Sequence, residues 1–388
     1  MVNRIIKLFL TILIFAVCSK KEEEPQVLEV VNISNTPGRS EHPAIAADSR
    51  GYFYVVWDDQ TPDGKTAVYI TQRPPGGNWT TPNYIINPQR MMRQPDIAVD
   101  KENTIHVVGQ YTNPQGWFEI FYTKKPLGGD WSELEIIGMY GMACHPKIAV
   151  DNNGDVHIVW QELVGYWPVI YAKRTKDGSW SSPIEISKNM GEDNSVWEHR
   201  IAVDQSNDVH VIITQDVNYG SYPVLLLEYT TNSQGGTWIE PIVLCRDSLL
   251  DIGSSAQIVT IDNQNIYVIW AMRGDIFYTY KLSNSQWQIP ARVCSTTAIS
   301  GGPHIVAIGG TLQLIWTELP NMIPTIIYSK MESKNNWKKL QEWIFNSGTI
   351  YGAAGIAVSS STIGIIIYGR PEDEPDNDEI YFGEIPIN

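Results

Sequence analysis

Polar side chains able to bind a ligand or exchange protons with it recur along this chain at two kinds of position. One is just before a short apolar run that ends in Asp; the other is just after a run of the VHIVW kind. At the first stand His42, Gln94, His145 and Glu198. At the second stand Asp58-Asp59, Gln110-Tyr111, Gln161-Glu162, Gln215-Asp216, Arg273, Glu318 and Arg370, with Trp117, Phe118, Tyr166, Trp167 and Tyr222 in the segments that follow. Carboxylates and amides converging beside aromatic faces suit a carbohydrate, whose CH faces stack on rings while its hydroxyls bond to acceptors. Two acid–base pairings are open. Glu198 or Glu162 with Asp59 could serve as acid and base of a glycosidase. His145 or His42 with Tyr111 or Tyr166 could instead abstract and return a proton in eliminative cleavage of a polysaccharide. Polar residues around a water-filled opening can equally be solvated rim with no chemistry at all.

The elements that must position these residues are most legible between Cys144 and Ser187. Lys147 to Val150 is an apolar run stopped by Asp151-Asn152-Asn153-Gly154, residues that tolerate the left-handed conformations of a tight hairpin. Val156 to Trp160 and Val169 to Lys173 are rich in β-branched and aromatic residues. Asp177-Gly178 then turns the chain into Trp180 to Ser187, where Pro183 is tolerable only on an edge strand. The hairpin Asp recurs at Asp48, Asp100, Asp151, Asp204 and Asp262, and the fourth-segment Trp at Trp79, Trp131, Trp180, Trp238, Trp287 and Trp337. Four strands every fifty or so residues is the signature of a propeller blade. A seventh unit, from Gly355, ends before any Trp segment, and Val27 to Ser34 resembles its missing tail, Ile33-Ser34 matching Ile186-Ser187. The expected fold is therefore all-β: a seven-bladed β-propeller of four-stranded antiparallel blades, its ring closed by an N-terminal strand, 27–34, completing the last blade.

In an up-and-down blade the first strand starts and the second strand ends on one face, so the residues above gather around one mouth of the central channel. Blades five to seven present only Ala256, Gly302 and Ala353 at their first-strand starts, which predicts an off-centre pocket. The expected ligand-binding set is His42, Asp59, Gln94, Tyr111, Trp117, His145, Glu162, Tyr166, Trp167, Glu198, Arg273 and Arg370, with Asp59, Tyr111, His145, Glu162 and Glu198 as catalytic candidates.

With 388 residues, 43% of them hydrophobic, the chain can bury a large core, and the unbroken repeat argues for one domain over 26–388. A net charge of −15 argues against nucleic acid as a partner. Residues 1–18 pair Arg4 and Lys7 with an apolar run, Leu8 to Val17, too short for a membrane span, so export is expected. Cys18 and the charged stretch 19–25 resemble a bacterial lipoprotein signal with its tether, although Val17 stands where such signals prefer a small residue. The expected location is the outer membrane, cell surface, periplasm or medium, with membrane association only through this N-terminus. Cys144, Cys245 and Cys294 are expected to be free thiols, since equivalent positions on neighbouring blades lie too far apart to be bridged. No metal spacing stands out and no cofactor is expected; His106, His157 and His210, which repeat at one strand position, read as packing residues. The acidic stretch 371–379 reads as a solvated loop, and the chain as a monomer.

The repeated order of an apolar strand ending in Asp, an HVVW-like strand, an IYY-like strand and a Gly turn into Trp-Ser-x-Pro resembles the sialidase-like propellers with bacterial-neuraminidase-type repeats, over about residues 26–388. The family's Asp box, S-x-D-x-G-x-T-W, is kept only in part: Thr231 to Trp238 retains the Gly, Thr and Trp. The resemblance implies, for a true sialidase, three Arg clamping a sugar carboxylate, a Tyr nucleophile activated by Glu, and an Asp acid/base. His42-Pro43 stands where an Arg-Ile-Pro would open the first blade, while Arg93, Arg273 and Arg370 sit at strand ends expected to face one way. The leading expectation is a binding module for a glycan or a surface protein at the mouth. The alternative is a carbohydrate-active enzyme, either an exo-sialidase-like hydrolase or a polysaccharide lyase, using the same mouth.

Overall fold

Each second strand is apolar along nearly its whole length rather than alternating, and the reason is that it is buried on both faces. The computed structural model describes residues 26–387 except 37, 87–89, 139–140, 166, 188–194, 220–221, 248–254, 263–264, 284, 294–297, 321–322, 334–335, 346–348, 360 and 372–376. Seven antiparallel sheets follow in order. Blade I is Glu41–Ala47, Phe53–Gln60, Thr66–Arg73 and Asn83–Tyr84; blade II is Met92–Val99, Ile105–Thr112, Phe118–Lys125 and Glu135–Ile137. Blade III is Ala143–Val150, Val156–Glu162, Val169–Arg174 and Ile184–Glu185; blade IV is Ser195–Val203, Val209–Tyr219, Tyr222–Asn232 and Ile242–Asp247. Blade V is Gln257–Ile261, Asn265–Met272, Asp275–Lys281 and Ala291–Arg292; blade VI is Ser300–Ile308, Thr311–Glu318, Thr325–Ser333 and Asn336–Phe345. Blade VII is Thr349–Val358, Thr362–Arg370 and Glu379–Pro386, completed by Val30–Asn32.

The ring closes through the N-terminus, as expected. Val30, Val31 and Asn32 pair antiparallel with Gly383, Phe382 and Tyr381, and the Ile33 amide donates to the Ile380 carbonyl at 2.9 Å. The preceding residues do something else: Gln26–Leu28 runs parallel to the outer strand of blade VI, opposite Trp343, Ile344 and Phe345. One short stretch therefore straps two blades. Leu28 sits in the seam, 5% exposed, and Gly383 is required beneath it, because a Cβ there would lie 2.9 Å from the Leu28 Cδ2.

The recurring Trp residues wedge blades together. Trp180, Trp238 and Trp287 each meet, edge to face, a Tyr from the third strand of the preceding blade: Tyr122 at 5.5 Å, Tyr171 at 4.8 Å and Tyr229 at 4.9 Å between centroids. Those same Tyr hydroxyls bond the Nδ1 of His106, His157 and His210 at 2.8–2.9 Å. The far ring nitrogens approach the hairpin Asp100, Asp151 and Asp204 at 3.2, 3.4 and 3.6 Å. Each Asp in turn caps its own hairpin, accepting two backbone amides, such as Asn153 and Asp155 on Asp151. The repeated histidines are thus links in an Asp–His–Tyr–Trp chain that ties a turn to the next blade.

Burial pushes these carboxyls up, but the His and the capped amides outweigh it and hold all three below the ordinary Asp value. A carboxyl depressed by folding contributes stability that is present above its unfolded value, near 4, and is lost as pH falls through the folded one. Urea midpoints should therefore be flat from pH 7 to 5 and drop below about pH 4. Asp151→Asn should flatten that drop while costing about 1–3 kcal/mol at pH 7; an unchanged acid limb would refute the linkage.

The His-Pro and Gln-Pro pairs are β-bulges. Register shifts fall between Glu41 and Ala44, Arg93 and Asp96, Cys144 and Lys147, and Gly301 and His304. His42, Gln94 and His145 take left-handed φ of 49°, 52° and 52° there, each followed by a Pro with no amide to lose from the ladder. The bulge turns these side chains out of the sheet toward the channel mouth.

Candidate functional site

Where blade I has Glu41-His42-Pro43, blade VII has Gly352-Ala353-Ala354. The small residues leave a wedge between these two blades, and a cavity of about 400 Å3 opens there, walled by Glu41, His42, Tyr351 and Tyr368. Gly352 cannot be enlarged: its φ is 149° and a Cβ would lie 2.7 Å from the Thr317 Oγ1.

The His42 Nδ1 lies 2.9 Å from the Asp58 Oδ1, which also accepts the Gln94 amide at 2.9 Å. A carboxylate can only accept, so the hydrogen bond assigns the proton to Nδ1 and leaves Nε2 as the basic nitrogen. Across the cavity Tyr351 is 45% exposed, its ring 5.6 Å from that of Tyr368 and 5.8 Å from the Arg370 guanidinium. Tyr368 donates to the Asp378 Oδ2 at 3.1 Å, and Arg370 holds Oδ1 at 2.9 Å through Nε and Nη2. Arg39 also pairs with Asp378. Burial pushes Asp378 up, but Arg370 and Arg39 overcome it and hold the carboxyl below its usual value. Burial, then the Asp378 charge, pushes the Tyr368 phenol up to about 12, so it stays a donor. The cavity thus presents an oriented base and two phenols, one of them held from behind by a buried carboxylate that two guanidiniums brace. Donor atoms of Glu41, His42 and Asp58 also lie within 4.8 Å of one another, a spacing that admits a cation. Arg39, 3.3 Å from Glu41, and the two hydrogen bonds at Asp58 compete for the same lone pairs.

Of the residues expected at the mouth, His42 lines this cavity, and Arg370 stands behind it against the Tyr351 ring. Gln94 is a strut whose side-chain oxygen accepts the His145 amide at 3.0 Å. His145 opens on the mouth, Nδ1 3.1 Å from the Gln161 Oε1; desolvation, then Lys147 and His42, push its imidazole down to about 4. Trp117 and Trp167 are 52% and 41% exposed, and Tyr111 is half-buried against the blade I–II core. Tyr166 and Cys18 lie outside the described residues.

The carboxylates assign differently from the expectation. Asp59 is 1% exposed and accepts Ser40 at 2.8 Å and Thr36, fastening the N-terminal segment. Glu162 is fully buried and accepts the Trp160 indole at 2.9 Å, as Glu318 does from Trp316 at 3.0 Å. Glu198 turns into the channel and pairs with Arg200; burial pushes its carboxyl up. The glycosidase pairing of Glu198 or Glu162 with Asp59 is thus not assembled: Asp59 is taken up by Ser40 and Thr36, Glu162 by the Trp160 indole and Glu198 by Arg200. Nor do the arginines form one clamp. Arg93 lies 5.3 Å over Phe118 and bonds Gln110, Arg273 pairs with Asp247 at 2.5 Å, and Arg370 is held by Asp378.

Glu41, Tyr351, Tyr368 and Asp378 went unread in the sequence, as did Trp197, 61% exposed at the start of blade IV. The available signal was Tyr368-Gly369-Arg370, where an aromatic precedes the strand-end Arg already singled out.

No family profile and no curated protein matches the sequence. Solved structures do resemble the fold. The polysaccharide lyase Uly1 is 12% identical, with a TM-score of 0.60 over 96% of this chain and 94% of its own. A PL25 ulvan lyase bound to a GlcA–Rha3S chain gives 11%, 0.59, 94% and 93%. The Hadza microbial sialidase Hz136 gives 12%, 0.51, 90% and 66%. At these identities the likeness is one of fold: a seven-bladed propeller shared with polysaccharide lyases and sialidases.

Proposed function

We propose that the protein binds carbohydrate at this mouth, one part of the chain in the cavity between blades VII and I and the rest across the aromatic rim of blades II to IV. What carries the reading is the cavity walled by His42, Tyr351 and Tyr368 on the same face as the exposed Trp117, Trp167 and Trp197. Rings with one face free offer stacking surface for sugar CH groups, and the braced Arg370 offers charge to an acidic one. Retention on a panel of immobilised neutral and acidic polysaccharides tests it. Tyr351→Ala should weaken the best binder about tenfold, roughly 1.4 kcal/mol. If no polysaccharide is retained, or a surface protein is bound instead, the reading fails. Export through residues 1–18 with a lipid on Cys18 belongs to the same proposal and is checked by the mass of the mature N-terminus.

A second reading, eliminative cleavage of that carbohydrate, is favoured by one observation. His42 is held by Asp58 in the tautomer of a general base and shares the cavity with phenols able to protonate a leaving oxygen.

A further inference from the structure

Below the mouth the central channel holds a second cavity, of about 220 Å3, whose walls include Asp96, Lys147, Arg200, Gln257 and His304. Asp96, Lys147, Arg200 and His304 occupy equivalent places on their first strands, so the repeat brings them to one level of the channel. Three of them are engaged. Asp96 Oδ2 accepts the Ile148 amide at 3.0 Å, Arg200 pairs with Glu198 and donates to the His199 carbonyl at 2.9 Å, and the His304 Nε2 lies 3.3 Å from the Ala353 carbonyl. Lys147 differs: it is half-buried in the channel wall, and among the described residues no carboxylate lies within 4.0 Å of its ammonium and it makes no hydrogen bond. Burial pushes that ammonium down by more than the fields of Asp96 and Glu198 restore. A partly desolvated cation without a bonded partner is destabilised, and an anion entering the channel would offset that. His199, 2% exposed, stands beside Lys147 with its ring against the His145 backbone.

We propose that the central channel binds an oxyanion, a carboxylate or sulfate group, with Lys147 as its principal donor and Arg200, Gln257 and His304 around it. The anion has two sources. It can be free in solution, or it can be the acid group of a sugar chain reaching down from the mouth, because Pro43 and Ala354 wall both cavities. The site itself does not depend on the carbohydrate reading.

Titration of the intact protein with sodium sulfate, and separately with a glucuronate oligosaccharide, tests it, against sodium chloride at matched ionic strength. The readouts are unfolding midpoint and calorimetric binding. Sulfate or the oligosaccharide should raise the midpoint saturably by a few degrees, and Lys147→Gln should weaken that binding at least tenfold. Asp96→Asn keeps an acceptor for the Ile148 amide while removing the opposing charge, so it should tighten binding severalfold, a gain that no folding defect imitates. Binding of sulfate supports a free anion, and Lys147-dependent binding of the oligosaccharide alone supports an acidic sugar. Shifts equal to those of chloride, or indifferent to both substitutions, overturn the proposal and leave neutral-polysaccharide binding at the mouth untouched.

Discussion

A chain lacking residues 26–34 is expected to melt on the order of 10 °C below the chain beginning at residue 26. The stretch buries Leu28 and Ile33, at 5% and 4% exposure, worth roughly 2 kcal/mol each. It also supplies the Val30–Asn32 ladder, at about 1 kcal/mol per bond. Ser34, fully buried, donates to Glu379 and accepts the Ile380 amide at 2.8 Å, so its removal takes one hydrogen bond from a buried carboxylate and the side-chain acceptor from a buried amide. The unfolding entropy of so long a chain makes each kcal/mol worth only one or two degrees, which is why several lost terms are needed for a large shift. Removing 26–28 alone should cost a fraction of this, since blade VI already has four strands of its own. Calorimetry of both truncations decides it, and a full truncation that melts with the parent would refute closure by the strap.

His42→Ala carries the largest expected functional effect. If the mouth cleaves acidic polysaccharide by elimination, loss of the base should slow formation of unsaturated product by about 10²- to 10⁴-fold. Asp58→Asn should slow it less, because the imidazole remains but its orientation and tautomer are no longer enforced. Ultraviolet absorbance of the product measures both. Should the wild-type protein release no product from any chain it binds, elimination is excluded, and His42→Ala should then change affinity only a few-fold.

Blade number, strand order and closure were legible because each rests on a strong local signal repeated many times: β-branched central strands, hairpin Asp and turn Gly. The parallel strand Gln26–Leu28 was not legible, since three residues carry no periodicity and their partner is blade VI rather than the blade being completed. The mouth was legible as a face but not as a cavity. Small residues at Gly352-Ala353-Ala354 looked like an absence of function, yet their lack of volume is what opens the space beside His42. Asp378 sits in a stretch whose composition reads as solvated, and only the approach of Arg39, from the far end of the chain, shows why it is buried. Asp59 and Glu162 show the limit of strand position: the direction of a side chain depends on what surrounds it, and these two carboxylates bond hydroxyls and an indole.

The strap also sets a timetable. Val30 and Gly383 stand at opposite ends of the propeller sequence, yet they are direct partners. The four antiparallel strands of each of blades I to VI come from nearby sequence and can form as the chain lengthens, whereas the final seam waits until Glu379–Pro386 is available. Pairings of such sequence separation are slow to form and leave edges exposed while they wait. A chain without Glu379–Pro386 has nothing for Val30–Asn32 to close on, so that strand is itself a condition for a closed ring.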